Sequence, residues 1–93
     1  MACREVLCDF EGRRRPVLFP TSTDINEENK NLFSSVKSTF SDVLSRKEDE
    51  YYLQVDSEKH GLIDVIGSST RVAENTTVFL RYWSHPEYEV YMK

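Results

Sequence analysis

The chain has 93 residues, 39% of them apolar, which is enough for one compact core and leaves no room for a second domain. Its 12 basic and 16 acidic residues give a net charge of −4, which disfavours general binding to nucleic acid or to anionic membranes because like charges repel. No run approaches the roughly 20 apolar residues of a membrane span. The N-terminus has no apolar stretch of signal-peptide length, so we expect a cytoplasmic or nuclear location.

The first part of the chain predicts a β-hairpin. Residues 5–10 alternate in polarity, and the apolar side chains that share one face are Val6, Cys8 and Phe10. Gly12 can supply the positive φ of a tight turn, and residues 16–19 are predicted to form the returning strand. Pro16 lacks a backbone N–H and should therefore lie at the start of that strand or on an outer edge of the sheet.

Residues 29–44 have the strongest helical period of the chain. Their apolar side chains recur at helical spacing and form one stripe: Leu32, Phe33, Val36, Phe40, Val43 and Leu44. Asp24, followed three residues later by Glu27, is typical of a helix N-terminus, where a carboxylate accepts hydrogen bonds from unpaired N–H groups. We therefore expect a helix that begins near Asp24 and packs this stripe against a sheet.

Three more strands are predicted after the helix. Residues 51–55 alternate, with Tyr51, Leu53 and Val55 on the inner side. Residues 62–66 follow a polar reversal and are expected to pair with residues 51–55 as a hairpin. Residues 76–83 are rich in β-branched and aromatic side chains and form the last long strand. Residues 85–93 alternate again and are expected to be a tail or an edge strand.

This order of elements resembles that of a ubiquitin-like β-grasp domain. The resemblance rests on the turn at residues 20–24, on Val36 and Phe40 of the helical stripe, and on the terminal strand at residues 77–82. It covers residues 4–84 and implies an α+β fold in which one helix packs across one face of a mixed sheet of about five strands. The last strand would then lie centrally, parallel to the first. Weaker similarity extends to PB1-like and Ras-association-like domains, and the resemblance to all three classes implies binding to another protein.

One candidate binding surface is the sheet face opposite the helix. The residues expected to contact a partner there are Tyr52, Phe79, Arg81 and Trp83, and Leu7 and Gln54 share this face. Large apolar groups on an exposed sheet often mark protein contacts. The alternative is that Tyr88, Val90 and Tyr91 of the tail fold across this face and cover it.

A second candidate is the basic tip of the first hairpin. Arg13, Arg14 and Arg15 form the densest basic group, and their guanidinium groups could bind a carboxylate or phosphate cluster bidentately or simply lie in solvent. A PB1-like resemblance implies an acidic loop after the third strand, and residues 56–64 resemble one. The alternative function is therefore electrostatic self-association of the basic hairpin with the acidic loops at residues 48–50 and 56–64.

Catalytic and metal-binding patterns are absent from the sequence. Cys3 and Cys8, five residues apart, fit neither a zinc site nor a known nucleophile signature, and we expect free thiols with Cys8 in the core. Carboxylates at 56–64 should be too exposed to work as an acid–base pair. We expect no enzyme activity, no cofactor and no metal. The sequence predicts a non-catalytic protein-interaction module, monomeric by itself, within a larger intracellular signalling or scaffold protein.

Overall fold

A computed structural model describes residues 2–44, 50–57 and 59–82. In chain order these residues form β1 (Cys3–Phe10), β2 (Arg13–Pro20), α1 (Ile25–Thr39), β3 (Tyr51–Ser57), β4 (Gly61–Asp64) and β5 (Thr77–Tyr82). The strands make one five-stranded sheet in the order β2-β1-β5-β3-β4. Strand β5 lies parallel to β1, and the other neighbouring pairs are antiparallel. The predicted α+β architecture, with the last strand in the middle of a mixed sheet, is confirmed.

The first hairpin closes through a two-residue turn. Glu11 and Gly12 have φ values of 53° and 82°, which is the left-handed pair that matches the twist of the flanking strands. Strand β2 begins at Arg13, earlier than predicted, and Pro16 lies inside it opposite Leu7. The predicted strand start is therefore three residues too late. The expectation that Pro16 lies at a strand start or on an outer edge is confirmed by the second alternative, because β2 is an outer strand of the sheet.

The helix begins where the sequence predicts. The Asp24 carboxylate accepts hydrogen bonds from the N–H groups of Asn26 and Glu27, at 2.9 and 3.4 Å, and the first helical residue is Ile25. These bonds satisfy two N–H groups that lack partners within the helix. Asp24 is therefore the N-cap, as predicted.

The helix ends earlier than the apolar period does. Its last residue is Thr39, and Phe40 leaves the helical conformation with φ −103° and ψ 16°. The N–H groups of Val43 and Leu44 both donate to the Phe40 carbonyl, so the chain continues as a turn that keeps both side chains against the core. A helix extending to residue 44 is therefore wrong, although the predicted stripe is buried or partly buried over its whole length.

The core lies between α1 and one face of the sheet. Its buried side chains are Val6, Cys8, Phe10, Val17, Phe19, Leu32, Val36, Phe40, Tyr51, Leu53, Val55, Val65, Val72, Val78 and Leu80. Phe10 makes edge-to-face contacts with Phe40 at 5.7 Å and with Tyr51 at 6.2 Å between ring centroids. The predicted inner faces of β1 and β3 are confirmed. Among the described residues, the helix covers this face of the sheet and no element covers the opposite face.

Candidate functional site

The sheet face opposite α1, called the outer face below, carries an incompletely buried apolar side chain on every strand. These side chains are Leu18 on β2, Leu7 on β1, Phe79 on β5, Tyr52 on β3 and Leu62 on β4. Leu18 is 63% exposed and Leu62 is 51% exposed. Each alternates along its strand with side chains that turn toward the helix, as the pleat requires. The outer face is therefore partly apolar from one edge of the sheet to the other.

The middle of the outer face holds three of the four side chains predicted to bind a partner: Tyr52, Phe79 and Arg81. We call these three residues the central patch. Arg81 on β5 is the cross-strand partner of Tyr52 on β3, and its guanidinium carbon lies 5.6 Å from the centroid of the Phe79 ring. All three side chains are half-buried. The fourth predicted residue, Trp83, lies outside the described residues, as does the tail at 85–93.

One hydrogen-bond donor of Arg81 is unused within the described residues. Its Nε is buried and has no hydrogen-bond partner among the residues that the structure describes. Phe79 is flanked across the strands by Asp9 and Gln54. The central patch thus combines two aromatic rings and a cation, with polar groups directly beside them, on the strands at the middle of the sheet.

The three arginines of the first hairpin do not act as one group. Strand alternation sends Arg14 to the outer face, where its Nε lies 3.2 Å from the Asp9 carboxylate. Arg15 turns toward the helix, binds both carboxylate oxygens of Asp42 at 2.7 and 3.2 Å, and donates to the Thr39 carbonyl at 2.9 Å. The hydrogen bond from Arg15 lowers the pKa of the Asp42 carboxyl, and the charge of the exposed Arg13 adds to this effect. Two of the three guanidinium groups are therefore engaged within the chain.

A buried carboxylate, which the sequence analysis missed, lies at the start of the helix. Glu28 is fully buried; its Oε2 accepts a hydrogen bond from Arg4 at 2.8 Å, and its Oε1 accepts one from Arg71 at 2.7 Å. The N–H of Ser22 also donates to Oε1 at 3.0 Å. Burial raises the pKa of Glu28, but the hydrogen bonds from Ser22 and Arg4 and the charges of both arginines outweigh burial, so its pKa is lowered.

Comparisons with known proteins rest on structure, because no protein-family model matches the sequence and no curated protein is significantly similar to it. Among solved structures, the chain is similar to the AtNBR1-PB1 domain, with a TM-score of 0.58 and 11% sequence identity over 88% of this chain and 99% of that one. The chain has the ubiquitin-like β-grasp fold. The predicted similarity to PB1-like domains is thereby confirmed in architecture, whereas 11% identity assigns no role to any residue.

A second buried polar residue fixes the connection between β4 and β5 of the β-grasp domain. Asn29 on the helix donates through Nδ2 to the carbonyls of Val65 and Thr70, at 3.2 and 2.9 Å. It holds the turn after β4 against the helix and thereby sets the position of Ile66, which is 40% exposed. Only contacts across the fold identify this residue, since an asparagine within a helix gives no such signal in sequence.

The two cysteines of the β-grasp domain differ in their exposure to solvent. Both are free thiols; Cys3 is exposed and Cys8 is fully buried. Burial raises the pKa of Cys8 to about 12, so the thiol stays protonated at neutral pH and is a poor nucleophile. Within residues 2–44, 50–57 and 59–82, no three metal-ligating side chains come together. No helix of this part of the chain has the length and apolarity to cross a membrane.

Proposed function

We propose that this β-grasp domain is a non-catalytic protein-interaction module that binds its partner through the outer face of the sheet. The observation that carries the proposal is the central patch, where Arg81 stacks near Phe79 and pairs across strands with Tyr52. Aromatic residues and arginine dominate the energetics of protein interfaces because they combine large apolar area with directional hydrogen bonds. The structural similarity to a PB1 domain supports an interaction role of this kind.

The surroundings of the central patch suit an interface that excludes water. Leu7 and Leu18 extend the apolar surface toward one edge of the sheet, and Leu62 extends it toward the other. A rigid sheet holds these side chains in place, so little conformational entropy is lost on binding. A fitting partner offers apolar side chains to Phe79 and a carboxylate to the Arg81 guanidinium. We place this module within a larger signalling or scaffold protein of the cytoplasm or nucleus.

Replacing Phe79 and Arg81 together by alanine tests the outer face. Partners retained by the wild-type domain from a cell lysate are identified by mass spectrometry, and the dissociation constant of each is then measured with purified protein. We expect the double substitution to weaken binding by about 30-fold or more, equivalent to about 2 kcal/mol, because two interface anchors are lost. The melting temperature should change little, since neither side chain belongs to the core.

The chain offers a matched control on the helix. Lys37 lies with its Nζ 4.7 Å from the centroid of the Phe33 ring, which makes the same kind of cation–aromatic pair. Lys37→Ala removes that pair and leaves the Phe33 ring in place against the core. Binding should be unchanged in this control. A folded variant with alanine at 79 and 81 that binds like the wild type refutes the outer face as the binding surface.

The alternative is electrostatic self-association of the basic first hairpin with the acidic residues of 56–64. The other predicted acidic loop, at residues 48–50, lies outside the described residues apart from Glu50. One observation favours it: Arg13 is exposed in the hairpin at one edge, and Asp56 and Asp64 are exposed in the hairpin at the other edge. Copies of the chain could therefore meet head to tail. The alternative is weaker because Arg14 and Arg15 already pair with carboxylates of their own chain.

A further inference from the structure

The two edges of the sheet differ in their capacity to accept another strand. In β2, the two-residue turn makes Phe10 and Arg13 a hydrogen-bonded pair, so alternation directs the backbone groups of the residues at 14, 16, 18 and 20 away from β1. Two of these four positions are Pro16 and Pro20, which have no N–H to donate. Strand β2 is therefore blocked against strand addition.

The β4 edge lacks this protection. The N–H of Val65 donates to the Leu53 carbonyl at 2.8 Å, and Ile63 is the cross-strand partner of Val55. Because backbone groups alternate along a strand, Leu62 and Asp64 direct their N–H and C=O groups away from β3. Within the part of the chain that the structure describes, both residues retain an unpaired backbone donor and acceptor. Leu62, at 51% exposed, also presents its side chain beside them.

The two sides of this edge have different chemistry. On the outer face, Leu62 lies between two exposed carboxylates, Asp56 directly across on β3 and Asp64 two residues along β4. Toward the helix, a cavity of about 240 Å³ opens where β3 extends past the end of β4. Its lining residues are Phe33, Tyr51, Tyr52, Leu53, Asp64 and Ile66. This volume is smaller than a typical cofactor pocket and suits an inserted side chain.

We propose that β4 binds an extended peptide in which basic and large apolar residues alternate. Successive side chains of an added strand point to opposite faces of the sheet. Those on the outer face meet Asp56 and Asp64, so they should carry positive charge; those on the helix side reach the cavity beside Phe33 and Ile66, so they should be apolar. Backbone hydrogen bonds to Leu62 and Asp64 fix which peptide residues lie opposite which residues of β4.

Charge favours such a peptide over a second copy of this chain. Antiparallel pairing of β4 with β4 of a second copy would bring the Asp56 and Asp64 carboxylates of both chains close together on one face of the joined sheet. Like charges on neighbouring strands are destabilising, and each chain also carries a net charge of −4. A basic peptide removes this repulsion. The proposed site shares Tyr52 with the central patch but includes neither Phe79 nor Arg81. Substitutions at 79 and 81 therefore test the outer-face function without altering the proposed peptide site.

The probe is a fluorescein-labelled peptide of sequence KFKLKVK, compared with its rearrangement KKFLVKK and with the acidic peptide EFELEVE by fluorescence anisotropy. We expect KFKLKVK to bind at least tenfold more tightly than the other two. Leu62→Pro removes one outward N–H that makes no bond to β3, and should weaken binding about tenfold. Leu18→Pro makes the same change on the blocked edge and should leave binding unchanged. Alanine at both 79 and 81 should also leave it unchanged.

Amide hydrogen exchange of the wild-type domain provides a second measurement that does not depend on the folding of a variant. Saturating KFKLKVK should slow exchange at the Leu62 and Asp64 N–H groups and leave the Leu18 N–H unaffected. Equal binding of KFKLKVK and KKFLVKK, or no protection at Leu62 and Asp64, would overturn the proposal. Protection of these N–H groups in a dimer without peptide would overturn it as well, because the edge would then bind a second copy.

Discussion

At the level of single residues, Glu28 is the clearest case of a charge retained inside the fold. It connects the helix to Arg4 on β1 and to Arg71 in the segment between β4 and β5. The same two arginines donate to the Val72 and Ser22 carbonyls, at 3.1 and 2.9 Å. A buried carboxylate is tolerated only when its oxygens are satisfied and its charge is balanced, and both conditions hold here.

We expect Glu28→Gln to destabilise the domain by about 3 kcal/mol, because it removes the charge that holds two arginines in place. The measurement is urea unfolding at pH 7. The control is Glu27→Gln, which changes the exposed neighbouring residue of the same helical turn and should alter stability by less than about 0.5 kcal/mol. Equal effects of the two substitutions would contradict a special role for the buried carboxylate.

The stability difference between the wild type and Glu28→Gln should depend on pH, because the pKa of Glu28 is lowered in the folded chain. The unfolded chain binds a proton at this glutamate near its ordinary pKa of about 4.3, whereas the folded chain binds it only at lower pH. The stabilisation is therefore fully present above about pH 4.3 and is lost as pH falls through the folded value. The stability difference between wild type and Glu28→Gln should shrink over that range, as measured by urea unfolding at successive pH values.

At the level of secondary structure, the end of α1 depends on a residue from β2. Arg15 donates to the carbonyl of Thr39, the last helical residue, and its guanidinium carbon lies 5.0 Å from the centroid of the Phe40 ring. A cation at this position also complements the negative end of the helix dipole. The apolar period in the sequence continues beyond this point, so the place where the helix stops is set by a contact across the fold.

We expect Arg15→Ala to loosen the end of the helix without unfolding the domain. The substitution removes the donor to Thr39 and the bidentate contact with Asp42, so the N–H groups of Phe40, Val43 and Leu44 should exchange several-fold faster. Arg13→Ala, which changes the exposed arginine two residues earlier on the same side of the strand, is the matched control. Unchanged exchange rates in Arg15→Ala would show that the helix end is stable without this contact.

The elements predicted from sequence are those that local patterns determine. Alternating polarity located β1 and β3, turn residues located β2 and β4, and β-branched and aromatic composition located β5. Asp24 located the helix start. Each of these signals lies within a few residues of the element it defines. Helix end and strand boundaries were predicted less well. Arg15 and Thr39 are far apart in sequence, and the extension of β2 to Arg13 is fixed by pairing with Phe10 rather than by its own composition.

The candidate site was predictable to a similar extent. Alternation alone places Tyr52, Phe79 and Arg81 on the outer face, and the register then brings Tyr52 beside Arg81. The pairing of Arg14 with Asp9 follows from the register of the first hairpin, in which the two residues lie directly opposite each other. The pairing of Arg15 with Asp42 could not be anticipated, since it joins a strand to the turn after the helix. The contacts of Glu28 with Arg4 and Arg71 were missed because they too join residues that are far apart in sequence.

At the level of the whole molecule, charge is distributed so that the two sheet edges differ. The β1–β2 hairpin carries the three consecutive arginines, and the β3–β4 hairpin carries Asp56 and Asp64. A head-to-tail assembly of copies would join these edges. Its driving force is limited, however, because intramolecular ion pairs engage two of the arginines and the net charge of −4 makes copies repel.

We therefore expect the isolated domain to be a monomer in multi-angle light scattering, both at about 10 mM and at about 150 mM salt. The measurement at low salt is the more demanding test of a monomer, since the screening length is then about 30 Å and attraction between exposed charges is strongest. A molar mass that rises with concentration at low salt and falls when salt is added would contradict this expectation. In that event Arg13→Glu should abolish association, because it reverses the charge of the exposed arginine that is not engaged in the ion pairs of Arg14 and Arg15. Lys30→Glu makes an equal charge change on the helix and should leave association unchanged.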